Sequence, residues 1–212
     1  DGALISPRAF IPAAERYGRA HLIDRWMVDY VISTLASAPD WLDGFEFVSL
    51  NISADSLCDD ELQAHLLKLV EESDLPRHKL CFEITETSAI SNLARARGFM
   101  NALSQLGCRF ALDDFGAGMS SYGYLRELSV DLIKIDGSFV KYIDTDPINR
   151  AFVQSMTDIA TVLGVAIVAE HVEREEELST LVEIGVGYTQ GYLHGRPLAL
   201  PGLLFESTKR FA

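Results

Sequence analysis

The run LGCRFALDD (residues 106–114) holds, in that order, a helix end, a glycine, a short apolar segment and two acids. A glycine directly after the last apolar residue of a helical stretch reads as a C-cap in the left-handed conformation, and the apolar run behind it as a buried strand. The same grammar returns in LGVAIVAEH at 163–171 and in IGVGYTQ at 184–190. Helix, glycine, strand, loop, helix is the order of βα units around a parallel sheet. Outward from these points, apolar residues at 93, 96, 99, 100, 103 and 106 trace one helical face, and those at 148, 152, 153, 156, 159, 160 and 163 trace another. Both stripes read as core. Strands are predicted at 46–51, 79–85, 108–114, 130–136 and 165–171, with shorter ones near 186–190 and 193–196. No Pro/Ser linker or low-complexity stretch divides the chain, so residues 1–212 are expected to form one domain. An open doubly wound sheet and a barrel both fit this α/β alternation.

The 212 residues leave ample length for a core, and 48% hydrophobic with 23% charged residues is the balance of an ordinary globular chain. The chain opens Asp1-Gly2-Ala3, without an initiating Met or a basic leader, which reads as a piece of a longer protein. No apolar run approaches the ~20 residues that a bilayer span needs. Cys58, Cys81 and Cys108 are odd in number and widely spaced, which argues against a disulfide framework or a structural zinc site and for a reducing cytoplasm; a membrane anchor, if the parent has one, lies outside this segment. A formal charge of −13 should repel duplex nucleic acid. His21, His65, His78 and His194 show no metal-ligand spacing, and the glycines at 116 and 118 lack the GK[ST] of a phosphate-binding P-loop.

Strand alternation supplies the chemistry. Side chains along a strand point to opposite faces, and in a βα barrel one face looks into the lumen while the other packs under the helices. With Leu80, Phe82 and Ile84 under the helices, Glu83 points inward. With Phe110 and Leu112 outward, Asp113 points inward and Asp114 sits at the exit. Ile133 and Ile135 outward leave Lys134 and Asp136 inward; Ile167 and Ala169 outward leave Glu170 inward; Val48 and Leu50 outward leave Asn51 inward. Five consecutive strands thus place a polar group inward at their carboxyl ends, where such folds assemble active sites. Carboxylates that close ionise together only if cations compensate them. A set of Asp, Glu and one Asn amide suits Mg²⁺ or Mn²⁺, and adjacent aspartates can bridge two ions ~3.5–4 Å apart for in-line displacement at phosphorus. Lys134 is positioned to hold the attacking water or balance phosphate charge, and Glu170 to act as ligand and general base. Metal-dependent phosphoester hydrolysis fits these residues; so does a metal-assisted enolisation with Lys134 as base.

At these residues the chain resembles the EAL domain family. The stretches are PRAFIPAAE (7–15), SLNIS (49–53), EITE (83–86), DDFGAGMSS (113–121), KID (134–136) followed by Ser138-Phe139, AEHVE (169–173), and Gln190-Gly191 with Arg196-Pro197. The resemblance implies a TIM-like (β/α)8 barrel of the EAL type whose first strand, carrying the Glu-Ala-Leu motif, is absent from this chain. It implies hydrolysis of cyclic di-GMP to linear 5′-pGpG, with about two Mg²⁺ or Mn²⁺ ions per site. Asn51, Glu83, Asp113 and Asp114 match metal ligands. Glu170 matches the catalytic glutamate that also binds metal, and Lys134 the lysine that positions the nucleophilic water. Asp136 and Gln190 match further residues lining the substrate site. Glu86 matches the glutamate that steadies the loop after Asp114. That loop, with the helix that follows, forms the family's usual dimer contact, and control by sensory or GGDEF domains is common.

Three departures from the family pattern stand out. The Glu-Ala-Leu motif is missing, so weak or no activity is expected of these 212 residues alone. His171 stands where Gly is common and, one residue beyond an inward-facing position, is expected to point outward. Ala117 and Met119 stand where Thr and Tyr are common. The alternative to an enzyme is a non-catalytic receptor that binds cyclic di-GMP and signals through a partner domain. The presence of Asn51, Glu83, Asp113, Asp114, Lys134 and Glu170 favours the enzyme. The acidic run at 173–177 reads as a solvated first helical turn, where negative charge suits the helix dipole.

Overall fold

A computed structural model describes residues 5–117, 122–198 and 200. Its backbone divides into two compact units, Asp1–Cys108 and Arg109–Ala212. In the first, helices α1 (Pro7–Arg16) and α2 (Ala20–Ala36) precede strand β1 (Val48–Asn51). Helices α3 (Ala54–Leu57) and α4 (Asp60–Glu72) lead to strand β2 (Leu80–Thr85), and α5 (Glu86–Ser91) and α6 (Leu93–Gln105) follow. β1 and β2 run parallel, with Asn51 opposite Glu83. The α4 start is fixed by Asp59, whose carboxylate accepts from the Glu61 and Leu62 N–H groups at 3.0 Å each; such a cap satisfies donors that the first turn leaves unpaired. Leu62, Leu66 and Val70 of α4 and Ala96, Phe99, Met100 and Leu103 of α6 are buried, so the first predicted stripe is core.

The second unit holds β3 (Arg109–Phe115), β4 (Leu132–Ile135), α7 (Gly137–Val140), α8 (Pro147–Leu163), β5 (Ala166–Ala169), α9 (Glu175–Ile184) and β6 (Tyr188–Thr189). β3 to β6 pair in parallel in chain order. Helices α8 and α9 end at Gly164 (φ 73°) and Gly185 (φ 93°), in the left-handed region where a Cβ would be strained. The recurring apolar-Gly-apolar grammar is therefore a run of C-caps that turn helices back into strands. Two expectations change. The predicted strand near 193–196 is a turn, in which the Leu193 N–H donates to the Val172 carbonyl and the His194 N–H to Gly191. The second stripe is core only in its middle: Val153, Met156 and Ala160 are buried, while Ile148 is 70% and Phe152 44% exposed. Among the described residues no helix is long and apolar enough to cross a membrane.

A buried acid ties α9 to the segment between α7 and α8. Glu177 is 2% exposed. Its carboxylate accepts from the backbone N–H groups of Tyr142 (3.1 Å), Glu173 (3.1 Å) and Arg174 (3.2 Å), and from the Arg174 Nε at 3.1 Å. Arg174 in turn pairs with Asp144. Burial pushes the Glu177 carboxyl up, but the Glu173 and Tyr142 N–H groups and the Arg174 guanidinium outweigh it and hold it below its ordinary value. An acid whose folded pKa is depressed stabilises the fold above its unfolded pKa and loses that contribution as pH falls through the folded value. Thermal stability should therefore decline below about pH 4.3, the unfolded glutamate value. Glu177→Gln, which replaces an acceptor by a donor, should cost about 1–3 kcal/mol at neutral pH and flatten that acid limb. Denaturant melts of both proteins across pH check this.

Candidate functional site

A regular strand sends Asp113 and Asp114 to opposite faces. The pairing of β3 with β4 removes that constraint. Leu112 is opposite Ile133 and Phe115 is opposite Ile135, so two aspartates on β3 span the place of one residue, Lys134, on β4. This is a bulge, the local device that re-aims a side chain at a strand end. Asp114 completes it with φ 54°, in the left-handed region that Asp tolerates better than most residues. As a result Asp113, Asp114 and Glu170 each offer a carboxylate oxygen within 4.8 Å of the others.

Lys134 sits in the middle of this group. It lies on β4, whose four residues are all buried, and its Nζ is 2.9 Å from Asp113 Oδ1 and 2.7 Å from Glu170 Oε1. Glu170 directly follows β5, and its N–H donates to the Ile135 carbonyl at 3.2 Å, which extends the ladder by one step and fixes where the carboxylate starts. One ammonium faces three carboxylates. Burial and the neighbouring Asp113 and Asp136 charges push the Asp114 carboxyl above its ordinary value, against the pull of Lys134 and His171. Asp113 Oδ1 is buried and, beyond its ionic contact with Lys134, takes no hydrogen bond. An all-oxygen donor set with excess negative charge, one of whose buried oxygens has only an ammonium for partner, fits a hard divalent cation.

The other predicted residues are placed as follows. Asp136 lies just beyond β4 and is half-buried; its Oδ1 accepts from the Ser138 N–H at 2.9 Å, so the carboxylate caps α7 while its charge reaches Asp114. Gln190 is exposed just beyond β6, anchored through its N–H to the Ala169 carbonyl (2.8 Å) and through its carbonyl to the Val172 N–H (3.0 Å). In the first unit Glu83 is buried and its register partner Asn51 is exposed; Glu86 is buried in the first turn of α5. Of the loop after Asp114, residues 118–121, including Gly118 and Met119, lie outside the described residues.

His171 departs from expectation. β5 ends at Ala169, so strand alternation no longer applies, and His171 adopts φ 56°. Its ring lies over Gly137, at the start of α7 and one residue past Asp136. The sequence signal was the departure itself, a side chain where Gly is common.

Comparison with known proteins agrees with this geometry. The family model described as "EAL domain" matches residues 1–197. The chain is 40% identical over 212 residues to cyclic di-GMP phosphodiesterase PdeB of Shewanella oneidensis, covering all of this chain and 24% of that protein. It is 34% identical over 203 residues to cyclic di-GMP phosphodiesterase PdeF of Escherichia coli, covering 96% of this chain and 27% of that one. The chain thus spans about a quarter of the length of these curated relatives. Among solved structures, the PaMucR phosphodiesterase in complex with c-di-GMP superposes with a TM-score of 0.87 at 30% identity, over 94% of this chain and 87% of that one. The FimX EAL domain from Pseudomonas aeruginosa bound to c-di-GMP gives 0.81 at 30%, over 91% and 76%. These likenesses establish the α/β, TIM-like class.

A bound divalent cation should raise the melting temperature. At a hundredfold excess over its dissociation constant the ion adds about 2.7 kcal/mol, and Asp113→Asn with Asp114→Asn should remove that gain. Thermal melts with and without the ion, with EDTA as control, read it directly.

Proposed function

Because this chain belongs to the EAL domain family, we propose that it is the catalytic module of a metal-dependent phosphodiesterase that hydrolyses cyclic di-GMP to linear 5′-pGpG. The bulge that gathers Asp113, Asp114 and Glu170 around Lys134 is the observation that carries this reading. Asp113, Asp114 and Glu170 would hold Mg²⁺ or Mn²⁺; Asn51 and Glu83 are further proposed ligands on their motifs. When bound, the ions supply charge neutralisation at the phosphodiester and an acidified water.

The chain's own residues account for the rest. Glu170 takes a proton from the attacking water, whose oxygen forms the new bond to phosphorus. The bond from phosphorus to the 3′ oxygen breaks; that oxygen leaves with the bonding pair and takes a proton from solvent, giving a 3′-hydroxyl on one nucleoside and a 5′-phosphate on the other. Lys134, held between Asp113 and Glu170, orients that water and balances the charge that grows on the phosphoryl oxygens. Asp136 and Gln190 line the substrate's path, and Glu86 is proposed to steady the loop after Asp114. Cyclic di-GMP turnover by the full-length protein, followed as pGpG by chromatography and abolished by EDTA, tests the reading. Glu170→Gln should lower kcat by about 10²–10⁴-fold while leaving part of the nucleotide affinity. Tight binding without turnover by the wild type would make the protein a receptor instead.

Dimerisation through the region after Asp114 is also proposed. A side chain at Gly116 would collide with Met156 (2.8 Å) and Phe139 (2.9 Å), so this loop lies against α7 and α8. Phe139 stacks on Phe152 at 4.8 Å. Phe152 and Ile148 are exposed, and with Pro147, Ala151 and Ser155 they line a shallow apolar cavity of 370 Å³. Phe152→Glu should convert the protein to a monomer in light scattering at micromolar concentration, with its melting temperature retained.

A further inference from the structure

Three described non-glycine residues have positive φ: Asp114, Tyr142 and His171. Asp114 closes the bulge of the acidic cluster. Tyr142 donates its N–H to buried Glu177, and its ring lies 5.4 Å from the Arg174 guanidinium carbon. Neither explanation covers His171, whose side chain is exposed although its backbone is strained at φ 56°. The fold also makes room for its ring. A Cβ on Gly137 would lie 2.1 Å from His171 Nδ1 and 2.7 Å from its Cβ and Cγ. The imidazole is therefore laid on the backbone of the α7 start, backed on one side by a glycine and left open to solvent elsewhere. It directly follows Glu170 in the chain, and the glycine it lies on directly follows Asp136.

An aromatic ring backed on one side, open on the other and placed at the rim of a phosphodiester-cleaving cluster is the arrangement that holds a nucleobase by its face. We propose that His171 is a stacking platform for a purine base of the substrate, an inference that rests on the nucleotide-hydrolase reading above. A ring needed only for packing would be covered. A glycine at 171 would take the same backbone without strain. The side chain is present at a conformational cost, and it stays exposed beside the residue that follows Asp136.

Steady-state kinetics of the full-length protein on cyclic di-GMP test this, comparing wild type with His171→Gly, His171→Phe and His171→Leu. His171→Gly should keep or raise the melting temperature, because it relieves the backbone. It should raise KM about tenfold, the equivalent of about 1.4 kcal/mol of lost stacking, with kcat within about twofold. Phe, which keeps an aromatic face and no titratable group, should restore KM; Leu, similar in bulk without that face, should not. An unchanged KM in His171→Gly, or equal rescue by Leu and Phe, overturns the platform. A fall in kcat at constant KM overturns it too, and would place His171 with the reacting groups. Failure of the hydrolase reading looks different: the wild type binds the nucleotide without turning it over. The same four proteins then report the platform through Kd.

Discussion

A strand cannot present two neighbouring side chains to one face unless its register breaks. The candidate site depends on that break at Asp113–Asp114, where β3 spends two residues against Lys134 alone. Without the bulge one aspartate would lie beneath the helices as a buried unpaired charge, which no fold of this size tolerates cheaply. With it, both acids join Glu170, and the repulsion among them is met first by an ammonium from the neighbouring strand. The parallel sheet matters here as the frame that sets which residue opposes which. β4 contributes four buried residues, and the single charged one stands where the charge is needed.

Lys134 also gives the cluster a definite state of its own. It bonds to one carboxylate on β3 and to another just past β5, so the ends of β3, β4 and β5 are joined by charge where their backbone ladder runs out. An interaction of this kind is costly to form from water and costlier to break on one side. It favours one arrangement of the three strand ends over neighbouring ones, which would hold the proposed base, Glu170, in a fixed place.

Alternation and the apolar-Gly-apolar grammar made most of this visible from residues alone. The inward placement of Lys134, Asp113 and Glu170 needed only period two; β1, β2, β4 and β5 lie within the predicted segments, and β3 runs one residue past its own, to Phe115. What stayed hidden depended on partners. The bulge is a property of two strands, so Asp114 read as an exit residue. Strand β5 stops at Ala169 and the chain turns left-handed at His171, so alternation carried past that point could not place the imidazole. That the Asp136 carboxylate caps α7 stayed hidden too, because nothing in its spacing says so. The stripe on α8 marked a face correctly but not how much of it a neighbour covers, and Ile148 and Phe152 emerged exposed.

The seating of His171 on Gly137 has a consequence for how such a chain can change over generations. Any side chain at 137 meets the imidazole at 2.1 Å, so the two positions are not free to vary independently. With the ring seated this way, a lineage gains histidine at 171 most readily where glycine already stands at 137, and a later side chain at 137 requires the ring to move. Reversal runs most readily in the opposite order. The two sites form a ratchet 34 residues apart in the chain, and the tolerance of either one to substitution is set by the history of the other.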